Sequence, residues 1–163
     1  MTVLHRAEAY QSAESILRDE GRPADREQAM HAVVEALWAH LAACDVSWLG
    51  FYVDQPDEPD DRRLVLGPHR DKPACSPIGL HGACGRALTE QRSIIIDDVR
   101  ELGEDYIACD PRDLSELVVP LAEPGGSCWG LLDLDSFSVG AFSPDDVAGL
   151  SRVLRAAGLT PIE

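Results

Sequence analysis

The spacing of the apolar residues changes twice along this chain, and that change limits the possible folds more than any other feature. Between Met30 and Leu41, apolar residues follow the i, i+3, i+4 spacing of one helix face. From 46–53 (VSWLGFYV) onward, short β-branched and aromatic runs replace that spacing, as is typical of buried strands. Helical spacing returns after Ser143 and Pro144, a pair that favours the start of a helix.

This order of elements predicts an α+β fold. Two helices are expected over 3–43, a sheet with long loops over 45–136, and a last helix over 144–157. An antiparallel sheet with helices packed on one face would leave its other face free to bind a ligand. Because the chain has 163 residues, we expect one domain over 1–163.

The acidic composition excludes two classes of partner. The chain has 14 Lys and Arg residues against 29 Asp and Glu residues, which gives a net charge of −15 at pH 7. Nucleic acids and anionic membranes would therefore be repelled, whereas a ligand with an ammonium group would be attracted. No apolar run approaches the ~20 residues of a membrane helix, and the N-terminal segment lacks the apolar part of a signal peptide. We therefore expect a cytoplasmic protein.

Three of the five cysteines lie in or beside two long loops, over 67–83 and 100–115. Loops of this length are uncommon in a compact domain and are often functional. Cys75, Cys84 and Cys109 could therefore form successive disulfides in a redox cycle. Cys84 lies at a predicted helix start, after Gly82, where the helix dipole would lower the pKa of its thiol. The other two cysteines fit packing inside a helix end and a strand.

A zinc site is the competing interpretation of these cysteines. Cys75, Cys84 and Cys109, together with His81, could supply four ligands. Structural zinc sites usually contain paired ligands two to four residues apart, and this sequence has no such pair. The odd number of cysteines also disfavours a structural disulfide framework. We therefore predict no metal site.

Alternation along two predicted strands places aromatic and acidic side chains on one side of the sheet. Trp48 and Tyr52 share a face of the first strand, and Trp129, Asp133 and Asp135 share a face of the last. Two carboxylates on one strand face can mark a strand end that emerges into water. They can also form the floor of an anionic pocket that binds an ammonium group beside the aromatic rings.

Seven short motifs follow one another between about residues 45 and 150. They are SWLGFY at 47–52, LGPHRDKPAC at 66–75, HGACG at 81–85, DDV at 97–99, YIACD at 106–110, SELVVPL at 115–121 and GLLDLDS at 130–136. In content and order they resemble the motifs of the free methionine-(R)-sulfoxide reductases, which consist of a single GAF domain. The resemblance implies a GAF-like antiparallel sheet with helices packed on one face and ligand loops on the other.

The resemblance implies roles for the three loop cysteines. Cys109 would attack the sulfur of free L-methionine-(R)-sulfoxide and become a sulfenic acid. Cys75 would resolve the sulfenic acid as a disulfide, and Cys84 would be an auxiliary thiol. Turnover would need no bound cofactor, but it would need an external dithiol such as thioredoxin. The family resemblance also suggests a homodimer.

The resemblance also implies how the substrate is held. Glu116, Asp133 and Asp135 would bind it, and Trp48 and Tyr52 would close the pocket around its methyl-sulfinyl end. The departing oxygen must gain protons, and Glu116 is the expected donor because crowding by the two aspartates would raise a carboxyl pKa.

The sequence departs from the family pattern in both cysteine loops. The segment 76–83 (SPIGLHGA) is one residue shorter than is usual and lacks a Phe-Gly pair. Asp105 and Tyr106 stand where Gly-His is common. These changes affect how closely the three cysteine thiols can approach one another. The alternative to an enzyme is a GAF sensor that binds a small amine or amino acid without turnover.

Overall fold

Nine helices and strands make up the fold in the computed structural model of the chain, which describes residues 2–107 and 109–161. The five strands form one antiparallel sheet, so the α+β class and the sheet type are confirmed. Two short 3-10 helices, Asp60–Arg62 and Val99–Asp105, lie in the loops. In chain order the elements are α1 (Thr2–Glu20), α2 (Arg26–Leu41), β1 (Trp48–Asp54), β2 (Leu64–Arg70), α3 (Ala83–Glu90), β3 (Ile94–Ile96), β4 (Ser115–Ala122), β5 (Cys128–Ser136) and α4 (Pro144–Ala156). The strand order across the sheet is β2-β1-β5-β4-β3.

Side-chain caps fix the starts of two helices. The Asp25 carboxylate accepts a hydrogen bond from the Gln28 backbone N–H at 2.8 Å before α2. Before α4, the Asp146 carboxylate accepts from the Ser143 backbone N–H at 2.9 Å, which completes a capping box. These bonds satisfy N–H groups that a helix start leaves unpaired. Among the described residues, no helix combines the length and apolar character needed to cross a membrane.

Helices α1, α2 and α4 cover one face of the sheet and form the larger core with it. Leu49 and Phe51 of β1 point into this core, as do Leu132 and Leu134 of β5. A buried ion pair joins α1 to the start of α4. The Arg6 guanidinium donates to the Asp146 carboxylate at 2.8 Å, and both side chains are almost fully buried. The sheet face opposite these helices is therefore the one available to the loops.

The opposite face is covered by α3 and by the loops that carry the cysteines. Trp48, Tyr52 and Leu131 point to this side and pack with Leu64 and Ala87 in a second, smaller core. One helix thus lies on the loop side of the sheet, whereas the sequence predicts helices on one face only. The first cysteine loop is also shorter than expected, because β2 continues to Arg70.

Trp129 does not lie on the face predicted for it. Leu121 pairs with Gly130 and Ala122 pairs with Cys128, so Trp129 is an extra residue in β5. Such a bulge turns the inserted side chain away from the regular alternation. The Trp129 ring packs with the helix-side core, and its indole N–H donates to the Leu159 carbonyl at 3.2 Å. Trp129 is therefore not part of the ligand face.

Candidate active site

One cavity lies where strands β1, β4 and β5 meet α3 and the two cysteine loops. It collects seven of the eight site residues predicted from the sequence. Cys75, the eighth, is bonded to one of those seven through a disulfide. The seven lining residues are Trp48, Tyr52, Cys84, Cys109, Glu116, Asp133 and Asp135. Residues brought to the cavity that sequence reasoning missed are Ala74, Ile78, Ala83, Tyr106, Ile107 and Asp113.

The register of β4 and β5 places three carboxyl groups side by side. Glu116 lies directly opposite Asp135, and Val118 lies opposite Asp133. Directly opposed residues point to the same face of an antiparallel sheet, so these carboxyl groups converge on the cavity. Glu116 and Asp133 are only 7% and 6% exposed. The three carboxyl groups thus form the acidic floor of the cavity.

Burial changes the acid–base properties of this floor. It is the main cause that raises the pKa of Glu116, Asp133 and Asp135 above the usual carboxyl range. Repulsion between the neighbouring carboxylates adds to the rise for both aspartates. These groups therefore keep their protons to a higher pH than ordinary carboxyl groups do, which favours a proton donor in the cavity.

Cys84 lies beside the carboxyl groups at the start of α3. Its thiol Sγ donates to Glu116 Oε1 at 3.8 Å, and the side chain is buried. Burial, followed by the neighbouring Asp133 and Glu116 carboxylates, raises the pKa of this thiol. The prediction of a pKa lowered by the helix dipole is therefore wrong, because desolvation and like charge outweigh the dipole.

Two aromatic side chains connect the cavity wall to the loop that carries Cys75. The Trp48 indole N–H donates to the Lys72 carbonyl, and the Tyr52 hydroxyl donates to the Cys75 carbonyl, each at 2.8 Å. The missing side chain of Gly50 lets the indole lie across the strand, since a Cβ there would stand 2.7 Å from Trp48 Cζ2. The aromatic residues therefore position the loop backbone as well as lining the cavity.

The two cysteine loops are joined at two neighbouring points. Cys75 and Cys109, which are 34 residues apart in sequence, form a disulfide with their Cα atoms 5.5 Å apart. One residue beyond Cys109, the Asp110 carboxylate accepts hydrogen bonds from the Lys72 ammonium and from the Arg112 guanidinium. These contacts lower the pKa of Asp110, so it stays ionised beside the disulfide.

Asp113 and Tyr106 flank the disulfide in the second cysteine loop. Burial raises the pKa of Asp113 to about 6, and its carboxylate accepts from the Ser47 hydroxyl at 3.0 Å. Burial also raises the pKa of Tyr106. Periodicity could not place either residue, since both lie outside regular strands. Tyr106 departs from the family pattern, and this departure is the sequence feature that points to it as a site residue.

Of the four residues in the zinc interpretation, the group of potential metal ligands in the structure contains only Cys84. Cys75 and Cys109 are joined in a disulfide, and His81 is exposed. In the described part of the chain, the candidate ligand atoms lie on Cys84, Glu116 and Asp133, within 4.8 Å of one another.

Comparison with known proteins identifies the fold and its relatives. The model of the GAF domain matches residues 23–160. Free methionine-R-sulfoxide reductase of Saccharomyces cerevisiae is 35% identical over 114 residues, which cover 69% of this chain and 62% of the relative. The Escherichia coli protein of the same name is 38% identical over 112 residues, covering 68% and 63%. This chain thus spans less than two thirds of the length of either relative.

A solved structure extends the likeness over nearly the whole chain. Free methionine-R-sulfoxide reductase from Neisseria meningitidis, in complex with its substrate, superimposes with a TM-score of 0.79 at 27% identity. The match covers 96% of this chain and 88% of that one. The resemblance inferred from the sequence motifs is thereby confirmed. The chain belongs to the GAF domain family.

Proposed function

We propose that this protein reduces free L-methionine-(R)-sulfoxide to methionine in a thiol-dependent reaction. The observation that carries the proposal is the position of Cys109, which is paired with Cys75 and lines the same cavity as the three carboxyl groups. A redox-active sulfur beside an acidic, aromatic pocket is the arrangement that this reaction requires. The names of the yeast, E. coli and N. meningitidis relatives support the same reaction.

The first step transfers the sulfoxide oxygen to the enzyme. The Cys109 thiolate attacks the sulfoxide sulfur, and the departing oxygen takes up a proton from the carboxyl floor. The sulfoxide S–O bond breaks as the oxygen bonds to Cys109 Sγ, the substrate sulfur keeps the electron pair and leaves as methionine, and Cys109 becomes a sulfenic acid. Glu116 is the proposed proton donor because burial raises its pKa, so it keeps its proton to a higher pH than an ordinary carboxyl group does.

The second step resolves the sulfenic acid. The Cys75 thiol attacks Cys109 Sγ, the S–O bond of the sulfenic acid breaks, and water leaves. The product is the Cys75–Cys109 disulfide. An external dithiol then reduces the disulfide and is itself oxidised, and thioredoxin is the proposed donor. Cys84 is proposed as an auxiliary thiol that can join this exchange.

The acidic floor and the aromatic side chains of the cavity bind different parts of the substrate. The substrate ammonium pairs with whichever of Asp133 and Asp135 is ionised, and Glu116 completes the same floor. Trp48 and Tyr52, whose ring centroids lie 6.4 Å apart, enclose the methyl-sulfinyl group. The proposal includes a homodimer in the cytoplasm, with no bound cofactor and no metal required for turnover.

Separated sulfoxide diastereomers test this proposal. Purified protein with dithiothreitol should convert the R form to methionine and leave the S form unchanged. Cys109→Ser should abolish methionine formation, whereas Cys128→Ser, outside the cavity, should not. Absence of product from the R form, or an unaffected rate in Cys109→Ser, would overturn the assignment. Saturable amino-acid binding without product would instead identify a sensor.

A further inference from the structure

Cys84, Glu116 and Asp133 form a compact group of potential metal ligands. The three residues come from α3, β4 and β5 respectively, so the packing of α3 on the sheet fixes their relative positions. One ligand atom of each lies within 4.8 Å of the other two, and all three side chains are buried. Neither Cys75 nor Cys109 is needed for the group, which is therefore present while their disulfide is intact.

The dimensions and chemistry of the group suit a zinc-type cation. Zinc bonds of about 2.3 Å to sulfur and about 2.0–2.2 Å to oxygen imply ligand atoms roughly 3.3–3.7 Å apart in a tetrahedron. The observed separation between Cys84 Sγ and Glu116 Oε1 is 3.8 Å, so this pair needs little movement, and the other two pairs lie within 4.8 Å. A thiolate favours Zn²⁺ or Cd²⁺, whereas Mg²⁺ and Ca²⁺ prefer oxygen ligands alone.

One carboxylate oxygen in the group has no partner. Among the described residues, nothing donates a hydrogen bond to Asp133 Oδ1, although Asp133 is only 6% exposed. An unpartnered oxygen of this kind is costly to bury once Asp133 is ionised, and a bound cation would satisfy the ionised group. This orphaned oxygen is independent of the clustering and also points to a cationic ligand.

The surroundings of the group are otherwise acidic. Asp113 and Asp135 also line the cavity, while no Lys, Arg or His is among its described lining residues. Lys72, on the adjoining loop, is paired with Asp110. A divalent cation would therefore enter a region of negative potential without displacing a basic side chain.

We propose that Cys84, Glu116 and Asp133 bind one Zn²⁺ or Cd²⁺ ion, with an open coordination position facing the cavity. On binding, the Cys84 S–H bond breaks, its proton and those of the carboxyl groups pass to the buffer, and a metal–sulfur bond forms without redox change. The ion would occupy the carboxylates that the substrate ammonium needs. This last consequence, competition with substrate, rests on the proposed function.

Titration of the disulfide form with Cd²⁺ tests the site without any catalytic readout. In this form the free thiols are Cys44, Cys84 and Cys128, and no reductant is present to compete for the metal. We expect one thiolate-to-cadmium absorption band in the ultraviolet that saturates at one ion per chain. Cys84→Ala should lose the band, and the matched control Cys128→Ala should keep it. A band that persists in Cys84→Ala, or that Cys128→Ala removes, would overturn the site.

Two further variants keep the test valid should Cys84→Ala fail to fold. Glu116→Gln and Asp133→Asn retain the thiol and should each weaken Cd²⁺ binding by at least tenfold, while Mg²⁺ should produce no competition. Unchanged Cd²⁺ affinity in both variants would contradict the proposal. Methionine-(R)-sulfoxide should raise the apparent Cd²⁺ dissociation constant. Cd²⁺ binding by a protein without reductase activity would refute the proposed function alone.

Discussion

At the scale of single residues, the cavity disfavours Cys84 as the nucleophile. Cys84 is buried against Glu116 and Asp133, which raises the pKa of its thiol and keeps it protonated. Cys109 lies on the second loop, where it is bonded to Cys75. Since the thiolate is the nucleophilic form, the environment of Cys84 disfavours it as the attacking group. Cys109 therefore remains the proposed nucleophile.

The proton donor can be tested at one position. Glu116→Gln removes the acidic proton but keeps a similar shape, so kcat should fall by roughly 10²–10⁴-fold. In the parent protein, kcat should decrease as pH rises through the raised pKa of this buried carboxyl, because the proton is then lost. The pH profile of kcat for the variant should lack that decrease.

Glu123→Gln provides the control for that experiment. Glu123 follows the end of β4 and pairs with Arg26 at the surface, outside the cavity. Its replacement should leave both kcat and the pH profile unchanged. A Glu116→Gln protein with the parent profile would rule out Glu116 as the donor.

Sequence reasoning located site residues on strands better than those in loops. Trp48 and Tyr52 on β1, and Asp133 and Asp135 on β5, follow strict alternation, so their common face could be predicted. Asp113 lines the cavity from the irregular segment just before β4. Because it lies outside the strand, alternation does not assign its side chain to a sheet face.

At the scale of elements, the two cysteine loops act as a pair. The Lys72–Asp110 ion pair holds them together beside the disulfide, and Asp110 is mostly buried. A sulfenic acid on Cys109 can be resolved only while Cys75 stays within bonding distance. In the proposed reaction, we therefore expect the ion pair to favour the disulfide over a persistent sulfenic acid.

Asp110→Asn tests this role of the loop contact. The neutral amide weakens the contacts to Lys72 and Arg112, so disulfide formation after oxidation should slow several-fold. More sulfenic acid should then be trapped by dimedone in a single turnover, as measured by intact mass. Asp98→Asn is the matched control, since Asp98 binds Arg100 in the same local arrangement away from the disulfide. Equal trapping in both variants would contradict the account.

The elements also show where prediction from sequence ends. Helices α2 and α4 could be placed because their caps are local, at Asp25 and Ser143. The bulge at Trp129 depends on pairing with β4, and the position of α3 depends on which sheet face remains uncovered. These are long-range effects that local spacing does not record.

At the scale of the whole molecule, an acidic chain concentrates several carboxyl groups in one cavity. The net charge is −15, and Asp113, Glu116, Asp133 and Asp135 all line the cavity. Their raised pKa values mean that the folded state binds protons more tightly than the unfolded chain does. Their contribution to stability is therefore complete at low pH and is lost as pH rises through the folded-state pKa values.

Asp113 gives this effect a defined pH window. Burial raises its pKa from 3.8 to about 6, so its ionisation should cost roughly 1–3 kcal/mol of unfolding free energy as pH rises across that interval. Asp113→Asn should resemble the parent protein near pH 4 and should be relatively more stable above pH 6, as measured by urea unfolding. Asp57→Asn, at an exposed loop position, should follow the parent throughout. If the free energy of unfolding of Asp113→Asn changed with pH in parallel with that of the parent protein, the raised pKa would be contradicted.

The central claim is that one sulfur, Cys109, receives the oxygen and that Cys75 then resolves it. Its most direct test is a single turnover of fully reduced protein with methionine-(R)-sulfoxide and no added reductant, followed by peptide mapping. The account predicts one methionine per chain and a Cys75–Cys109 disulfide, with Cys84 still reduced. Methionine formed with a disulfide that excludes Cys109, or no methionine at all, would contradict it.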